Sequence, residues 1–336
     1  EKELRGSFYT WQPKDTVDWF EARGVQIKTE DDGRMFPVSD NSQSIIDCLE
    51  GQVRKKNISL CNGVGVKSLL HEDEKFTLGF SNGVSKRFDR VCIATGSMKS
   101  SSLTTSLEKL GHTIEPLAPS LFAFDIKDER LKELAGIAVK NAFVRIPPKG
   151  KFQTGPALIT HRGLSGPAIL KISAWEARQL NELNYEFQIE LNWLGDRKES
   201  DLQSLFSRLR IQHGQQLIRT KVFEGLPRRL WEKILKYLKM SETMQWAQLP
   251  KKMEAELIQE LISARFQVSG KTMNKEEFVT CGGVRLKEVN FKKMESRLIP
   301  HLYFAGECLD YDGITGGFNF QGAWTTGYIA GSAMAE

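Results

Sequence analysis

The sequence predicts an α/β fold: a Rossmann-like domain built from both chain ends, interrupted by a β-rich domain that carries a helical insert. Three stretches predict it. Leu302-Tyr303-Phe304 reads as a short buried strand, Ala305 to Thr315 as a glycine-rich turn, and Asn319 to Ala335 as a helix lined with small residues. Arg90 to Gly96 reads as a second buried strand ending in a tight turn, fed by a run of alternating segments. Between the two lies a region of leucine and aromatic stripes at helical spacing, from Ser200 to Ala264.

In order along the chain, Leu4 to Phe8 reads as the tail of an earlier element. Asp15–Arg23 is an amphipathic helix stopped by Gly24, and Val25–Lys28 is a short strand. A turn at 31–34 follows, then a helix from Ser42 to Arg54 with Ile45, Ile46, Leu49 and Val53 on one side. Ile58–Leu60, Gly65–His71, Lys75–Ser81 and Val84–Phe88 make a meander, with Asn82-Gly83 as a two-residue hairpin turn. Ser97 to Thr104 reads as a serine-rich loop. Ser165 is placed to cap a helix that has Pro167 in its first turn.

Tyr185, Phe187, Ile189, Leu191 and Trp193 share one face of a strand. The helical region breaks at Gly214, at Gly225-Leu226-Pro227 and at Leu249-Pro250. Phe266–Ser269 and Glu277–Thr280 read as returning strands. The expected boundaries are 1–118 and 281–336 for the Rossmann-like domain, 119–198 with 266–280 for the β-rich domain, and 199–265 for the helical insert.

The 336 residues suffice for two or three cores, and 40% hydrophobic with 26% charged content is ordinary for a globular chain. No apolar run reaches the length of a membrane span, so a cytoplasmic protein without a membrane partner is expected. The five cysteines form no C-x-x-C pair, which points to free thiols and no zinc site. Cys308 is read as a small buried residue rather than a redox thiol. No spacing suggests a metal. The net charge is +5; residues 196–265 hold 14 basic and 9 acidic side chains and so carry the whole excess. That face is read as a solvated helical surface. The alternative is a nucleic-acid face using Arg228, Arg229, Lys233 and Lys236.

Glycines at 313, 316 and 317 allow positive φ and let a flat or anionic group approach the backbone closely. The helix behind them directs free N–H groups and the positive end of its dipole at that group. The run Ala305-Gly306-Glu307, then Asp310-Tyr311-Asp312-Gly313-Ile314-Thr315-Gly316-Gly317-Phe318-Asn319-Phe320-Gln321, resembles the C-terminal flavin-binding segment of two-dinucleotide-binding-domain flavoproteins. In detail it is similar to the predicted-flavoprotein family that includes aminoacetone oxidase and a bile-acid dehydro-steroid reductase. Segments 21–39, 111–120, 158–170, 282–284 and 294–296 resemble the same family, which thus covers nearly the whole chain.

The resemblance implies an FAD-dependent oxidoreductase acting on a small carbonyl, amine or conjugated enone compound, with NAD(P)H as a possible electron donor. It implies that Glu307 or Asp310 meets the ribitol and that the 316–320 amides meet the pyrimidine edge of the isoalloxazine. Ala94, Thr95 and Gly96 would lie close to the dinucleotide, with Gly306, Gly313, Thr315, Gly316, Gly317, Phe318, Asn319 and Phe320 completing the flavin contacts. No general acid or base stands out; Thr160 and His161 are the candidates, on a loop that borders the flavin pocket in relatives. A small-molecule substrate is expected and nucleic acid is not. The alternative is a binding module that has kept the fold without the cofactor. A G-x-G-x-x-G unit with its strand and helix is not found. The expectation is therefore a chain lacking the N-terminal segment that would hold the pyrophosphate.

Overall fold

The computed structural model describes residues 2–31, 33–220, 223, 225–272 and 279–336. Two compact units result: Glu1–Ala118 with Val279–Glu336, and Pro119–Phe278. Each has its own hydrophobic core.

In the first unit a four-stranded sheet runs in the order Val289–Asn290, Glu295–Ser296, Leu302–Phe304, Val91–Ile93. Its last two strands are parallel, with Leu302 opposite Val91 and Phe304 opposite Ile93. Every residue of Leu302–Phe304 is buried, as a short strand covered on both faces requires. The 20-residue helix Gly316–Ala335 packs on this pair through Ile329, Ala330 and Ala333. Arg90, just before the parallel strand, donates to the Met334 carbonyl, placing a cation at that helix's negative end.

Helix Lys2–Thr10 and helix Pro13–Glu21 lie against the same terminal helix. Thr325 donates to the Trp11 carbonyl at 2.9 Å, and Trp11 stacks on Tyr328 with centroids 4.0 Å apart. Residues 4–8, expected to be the tail of an element, therefore belong to a helix with Leu4 in the core.

The meander becomes a three-stranded antiparallel sheet of Val66–Glu72, Lys75–Phe80 and Ser85–Phe88. Two expectations change there. Ile58–Leu60 is not a strand and stays exposed. Phe80 N–H bonds the Val84 carbonyl at 2.9 Å, so the hairpin loop has three residues, with Gly83 at φ 81° in the left-handed position. That is the turn-plus-bulge alternative to the two-residue turn.

Of the expected serine-rich loop 97–104 only 97–100 stays irregular; the rest belongs to helix Ser101–Lys109, because Leu103 and Leu107 have a core to enter. Ser106 accepts the Leu69 amide at 3.2 Å, tying that helix to the meander. Strand Val279–Val284 pairs with Ile114–Ser120 and makes a bridge to Leu309. A Cβ at Gly282 would lie 2.3 Å from the Pro116 carbonyl oxygen, and one at Gly283 2.4 Å from that of Cys308. The Gly-Gly pair is required by that crowding and by φ values of 102° and 132°. Of the expected strand 277–280, residues 277 and 278 lie outside the described residues.

The second unit is a seven-stranded antiparallel sheet ordered Ala264–Ser269, Glu186–Asn192, Ala138–Arg145, Gln153–Ile159, Gly163–Ser165, Ala123–Asp125, Lys271–Thr272. Phe187, Ile189, Leu191 and Trp193 are buried along the strand predicted from alternation. Helices Glu199–His213, Arg228–Tyr237 and Lys251–Ile262 stop and start at the expected breaks, with Pro227 and Pro250 as N-caps. Their buried stripes, including Leu202, Phe206, Leu230, Trp231 and Ile234, share one core with the sheet residues Val144, Ile189 and Phe266. Helix Pro167–Trp175 is capped by Gly166 rather than Ser165. Ser165 is held in the strand, and Gly166 takes φ 91° where a Cβ would be 2.7 Å from the Pro156 carbonyl oxygen. No helix among the described residues is long and apolar enough to cross a membrane.

Candidate functional site

The parallel strands Val91–Ile93 and Leu302–Phe304 end side by side, with the Ala305 amide bonded to the Ile93 carbonyl at 2.9 Å. Two turns leave from this point, Ala94-Thr95-Gly96 and Ala305-Gly306-Glu307. The carboxyl end of parallel strands is where open α/β sheets bind ligands. Gly96 and Gly306 both need positive φ, 68° and 74°. A Cβ on Gly96 would lie 3.9 Å from Oε2 of Glu307, so the two turns face each other.

Gly306 also locks the terminal helix in place. Its amide donates to Thr326 Oγ1 at 2.8 Å, and Thr326 in turn bonds the Gly322 carbonyl at 2.6 Å. Tyr311 is buried with its ring on Gly322, where a Cβ would be 2.7 Å from the hydroxyl. Gly322 is required by this contact, whereas a Cβ at Gly327 or Gly331 would meet nothing within 4 Å.

Glu307 is half-buried, and its Oε1 accepts the Thr280 amide at 2.9 Å. Burial raises its carboxyl above the ordinary range, with the Thr280 hydrogen bond and the charge of Lys99 opposing and Asp312 adding. Asp310 is half-buried, and its amide bonds the Val284 carbonyl at 2.9 Å. Cys308 is fully buried, with its thiol 3.2 Å from the Ile93 carbonyl, and burial pushes it up to about 12. It is a thiol within the core.

The loop into the helix is clipped shut by one side chain. Asn319 accepts the Gly313 amide at 2.9 Å and donates to the carbonyls of Gly313 at 3.3 Å and Thr315 at 3.1 Å. Thr315 is the N-cap, accepting the Phe318 amide at 3.2 Å. None of Gly313, Gly316 and Gly317 uses the positive φ that glycine allows. Gly313 is needed because a Cβ there would be 2.1 Å from the Phe318 ring. Gly316 and Gly317 are exposed, and a Cβ on either would meet nothing within 4 Å. Their amides stand in the first turn, where a helix has no internal acceptors. Phe318 packs at 5.5 Å on Phe8, while Phe320 is 67% exposed and stacks on Trp324 at 6.5 Å.

The first unit thus gathers 94–96, 306–307, 310 and 313–320 around two strand ends and one helix N-terminus. The surface they make has bare backbone, donors, a dipole of positive sign and the Glu307 carboxyl. A flat group that is anionic along one edge fits: the two open glycines leave room for a ring to reach backbone N–H groups, and the exposed Ala94 and Thr95 present no bulk. Reading the sequence missed Thr280, Thr326 and Lys99. Thr326 sits one helical turn beyond Gly322, a spacing legible only once the helix is known to seat on Gly306.

Thr160 and His161 belong to the second unit, at the hairpin between Gln153–Ile159 and Gly163–Ser165. Thr160 Oγ1 accepts the amides of Arg162 at 3.3 Å and Gly163 at 3.1 Å, so its hydroxyl closes the turn. His161 is exposed at the tip, and Arg162 pairs with Asp125.

A family model described as the HI0933-like protein Rossmann domain matches residues 1–333. A ribosomal RNA dihydrouridine synthase of Escherichia coli K12 is 30% identical over 337 residues, covering 97% of this chain and 80% of that protein. A 3-dehydro-bile acid delta(4,6)-reductase of Clostridium scindens is 27% identical over 331 residues, covering 96% and 80%. A ribosomal RNA dihydrouridine synthase of Haemophilus influenzae is 26% identical over 339 residues, again covering 96% and 80%. The chain belongs to the HI0933-like Rossmann family and is of the flavin-dependent oxidoreductase type.

Proposed function

We propose that this protein is an FAD-dependent reductase that adds hydrogen across a carbon–carbon double bond conjugated to a carbonyl, and that its substrate is a uridine in ribosomal RNA. The observation that carries the flavin assignment is the open Gly316–Gly317 pair at a capped helix N-terminus, beside the carboxyl ends of two parallel strands. When bound, FAD supplies the hydride chemistry.

The chain's own residues hold and orient it. The Gly316 and Gly317 amides and the helix dipole would stabilise negative charge at the edge of the ring. Asn319 and Thr315 keep those amides in place, which removes reorganisation at the moment of reaction. In this reading Glu307 or Asp310 would meet ribitol hydroxyls, and Gly96 and Gly306, both at positive φ, would let the backbone come close.

The substrate class is supported by the names of the relatives. Forming dihydrouridine saturates the C5–C6 bond of uracil, which is conjugated to the C4 carbonyl; a delta(4,6)-reductase saturates the same kind of bond in a steroid. Two of these three proteins act on ribosomal RNA, which favours the nucleoside over a free enone. NAD(P)H is the electron donor in this reading.

The test is incubation of the protein with FAD, NADPH or NADH, and ribosomal RNA from cells that lack the protein's gene, followed by mass analysis of the nucleosides. Dihydrouridine, seen as uridine plus two hydrogens, is expected only with the complete mixture. Reduction of a conjugated steroid ketone with no change in the RNA would replace the nucleoside by the enone.

A further inference from the structure

One cluster of titratable side chains in the first unit lies outside the surface described above. It joins His112, between helix Ser101–Lys109 and strand Ile114–Ser120, to Glu288 of the turn Leu286–Glu288 and to Ser296 of strand Glu295–Ser296. The His112 side chain has no exposed surface. Its ring packs on that of Phe304 with centroids 5.1 Å apart.

The proton positions in the cluster follow from its acceptors. Ser296 Oγ accepts the amides of Leu298 at 3.0 Å and Ile299 at 2.9 Å, which occupies both of its lone pairs. Its own O–H has to be donated, and His112 Nε2 lies 2.9 Å away. Nε2 is therefore bare, and the ring proton sits on Nδ1, 3.2 Å from Oε2 of Glu288. The same oxygen accepts the Thr113 amide at 2.8 Å. Although burial opposes it, the Thr113 amide and His112 hold the Glu288 carboxyl below its ordinary range, so it stays ionised.

A second proton on the ring finds no acceptor. On Nε2 it faces an oxygen whose lone pairs are taken, so Ser296 has to release an amide and loses the acceptor for its own hydroxyl. The surrounding charges do not relieve this. Arg285 lies 4.0 Å from the far oxygen of Glu288 and pairs with Glu115 at 2.6 Å. Arg297 donates to the Val289 carbonyl, and Glu295 accepts the His301 amide. Glu108, Lys109 and Lys287 are exposed. Burial weakens the ring as a base, against the opposing pull of Glu288.

Residues 297–301 leave Ser296 and lead into strand Leu302–Phe304, which carries the Gly306 turn at its end. We propose that His112 is an acid-operated latch: proton uptake at Nε2 frees the turn 297–301 from Ser296 and loosens the strand behind Gly306. The proton comes from solvent, and no other group changes charge. Because the closed ring is fully buried, the open turn takes the proton and is held open by it. The folded ring binds its proton less tightly than an unfolded one. The stabilisation is thus complete above the ordinary imidazole range and is lost as pH falls through it. Flavin retention falls with it, a consequence that rests on the flavin reading above.

Nitrogen NMR of isotope-labelled histidine rings reads the tautomer directly. A neutral ring with Nδ1–H and a bare Nε2 is expected at neutral pH; the opposite tautomer, or a ring already charged, would overturn the latch. Amide hydrogen exchange in flavin-free protein then follows the turn from neutral pH to below the ordinary imidazole range, corrected for the intrinsic pH dependence of exchange. Protection at Leu298 and Ile299 is expected to fall about tenfold or more. Leu69, whose amide is held by Ser106 in the same unit, is expected to keep its protection. Equal loss at Leu69, or no change at Leu298 and Ile299, overturns the proposal.

His112→Gln cannot titrate and is expected to remove the pH dependence. Should that variant not fold, the wild-type ring titration is compared with the loss of protection: coincident midpoints are expected, and separate ones overturn the latch. FAD retention is scored over the same range. Protection lost in acid by a protein that takes up no FAD at any pH supports the latch and removes the flavin reading. Protection kept by a protein that binds FAD does the reverse. Protection lost while FAD stays bound overturns the link to the cofactor.

Discussion

Single positions in the loop before the terminal helix divide into those that build the site and those that leave it open. Gly313 is a packing residue: Gly313→Ala drives a methyl into the Phe318 ring and is expected to lower stability by about 1–3 kcal/mol, the usual range for overpacking. Gly316 and Gly317 have neither a positive φ nor a neighbour. Gly316→Ala with Gly317→Ala is therefore expected to leave the thermal midpoint of the flavin-free protein unchanged while lowering flavin content. Unchanged flavin absorbance in that double variant would remove this loop from the cofactor site. Glu307 carries the pH dependence at this scale. Burial raises its carboxyl above the unfolded value, so the folded state binds that proton more tightly. The stability this contributes is full below the unfolded value and is lost as pH rises through the folded one. Glu307→Gln keeps an acceptor for Thr280 N–H without the charge. It should flatten the fall in urea midpoint as pH rises above the ordinary carboxylate range in flavin-free protein. An unchanged slope would mean that the carboxyl is not desolvated.

The terminal helix is held at both ends and along its length. Asn319 clips the loop at the N-terminus, Thr326 takes the Gly306 amide, and Arg90 meets the last carbonyls. Asn319→Ala removes three hydrogen bonds and leaves the Gly313 amide without its acceptor. A loss of about 2–3 kcal/mol in urea unfolding is expected, together with weaker flavin retention, whereas Thr315→Ala should cost about 1 kcal/mol as an N-cap change. A second clamp lies behind the sheet. Ser296 and His112 are 2.9 Å apart, His112 is 3.2 Å from Glu288, and Ser296 also accepts the amides of Leu298 and Ile299. The arrangement looks like a catalytic triad, yet the serine and histidine are buried and the hydroxyl is taken up by two amides. It fixes the turn that leads into Leu302–Phe304. Burial lowers the His112 value, opposed by Glu288, which favours the neutral ring.

At the scale of the whole molecule, two cores fold from three chain segments, the outer two sharing one unit. The proposed flavin contacts all fall in the first unit. Calorimetry is therefore expected to resolve two transitions, of which FAD raises one. At a hundredfold excess over the dissociation constant the stabilisation is about 2.7 kcal/mol. Hydrogen exchange gives an independent check: protection should increase at 94–96 and 313–320 when FAD is added, and its absence there would contradict the assignment.

Much of this was legible in the residues. The strand Leu302–Phe304, the turn at Gly306 and the helix to Ala335 follow from a run too apolar and too rich in glycine to do anything else locally. The helix boundaries at Pro227 and Pro250 follow because proline ends one element and starts another. The resemblance carried by 305–321 named the cofactor class that the family match supports. Other features depended on partners distant in sequence. Ser101–Lys109 is helical because Leu103 and Leu107 find a core, and Gly282-Gly283 is required by carbonyls 166 and 25 residues away. Local sequence determined where backbone could bend and which faces were apolar. Tertiary structure decided which glycines were crowded and which stood open, because only the fold brings Phe318, Pro116 and Cys308 against them.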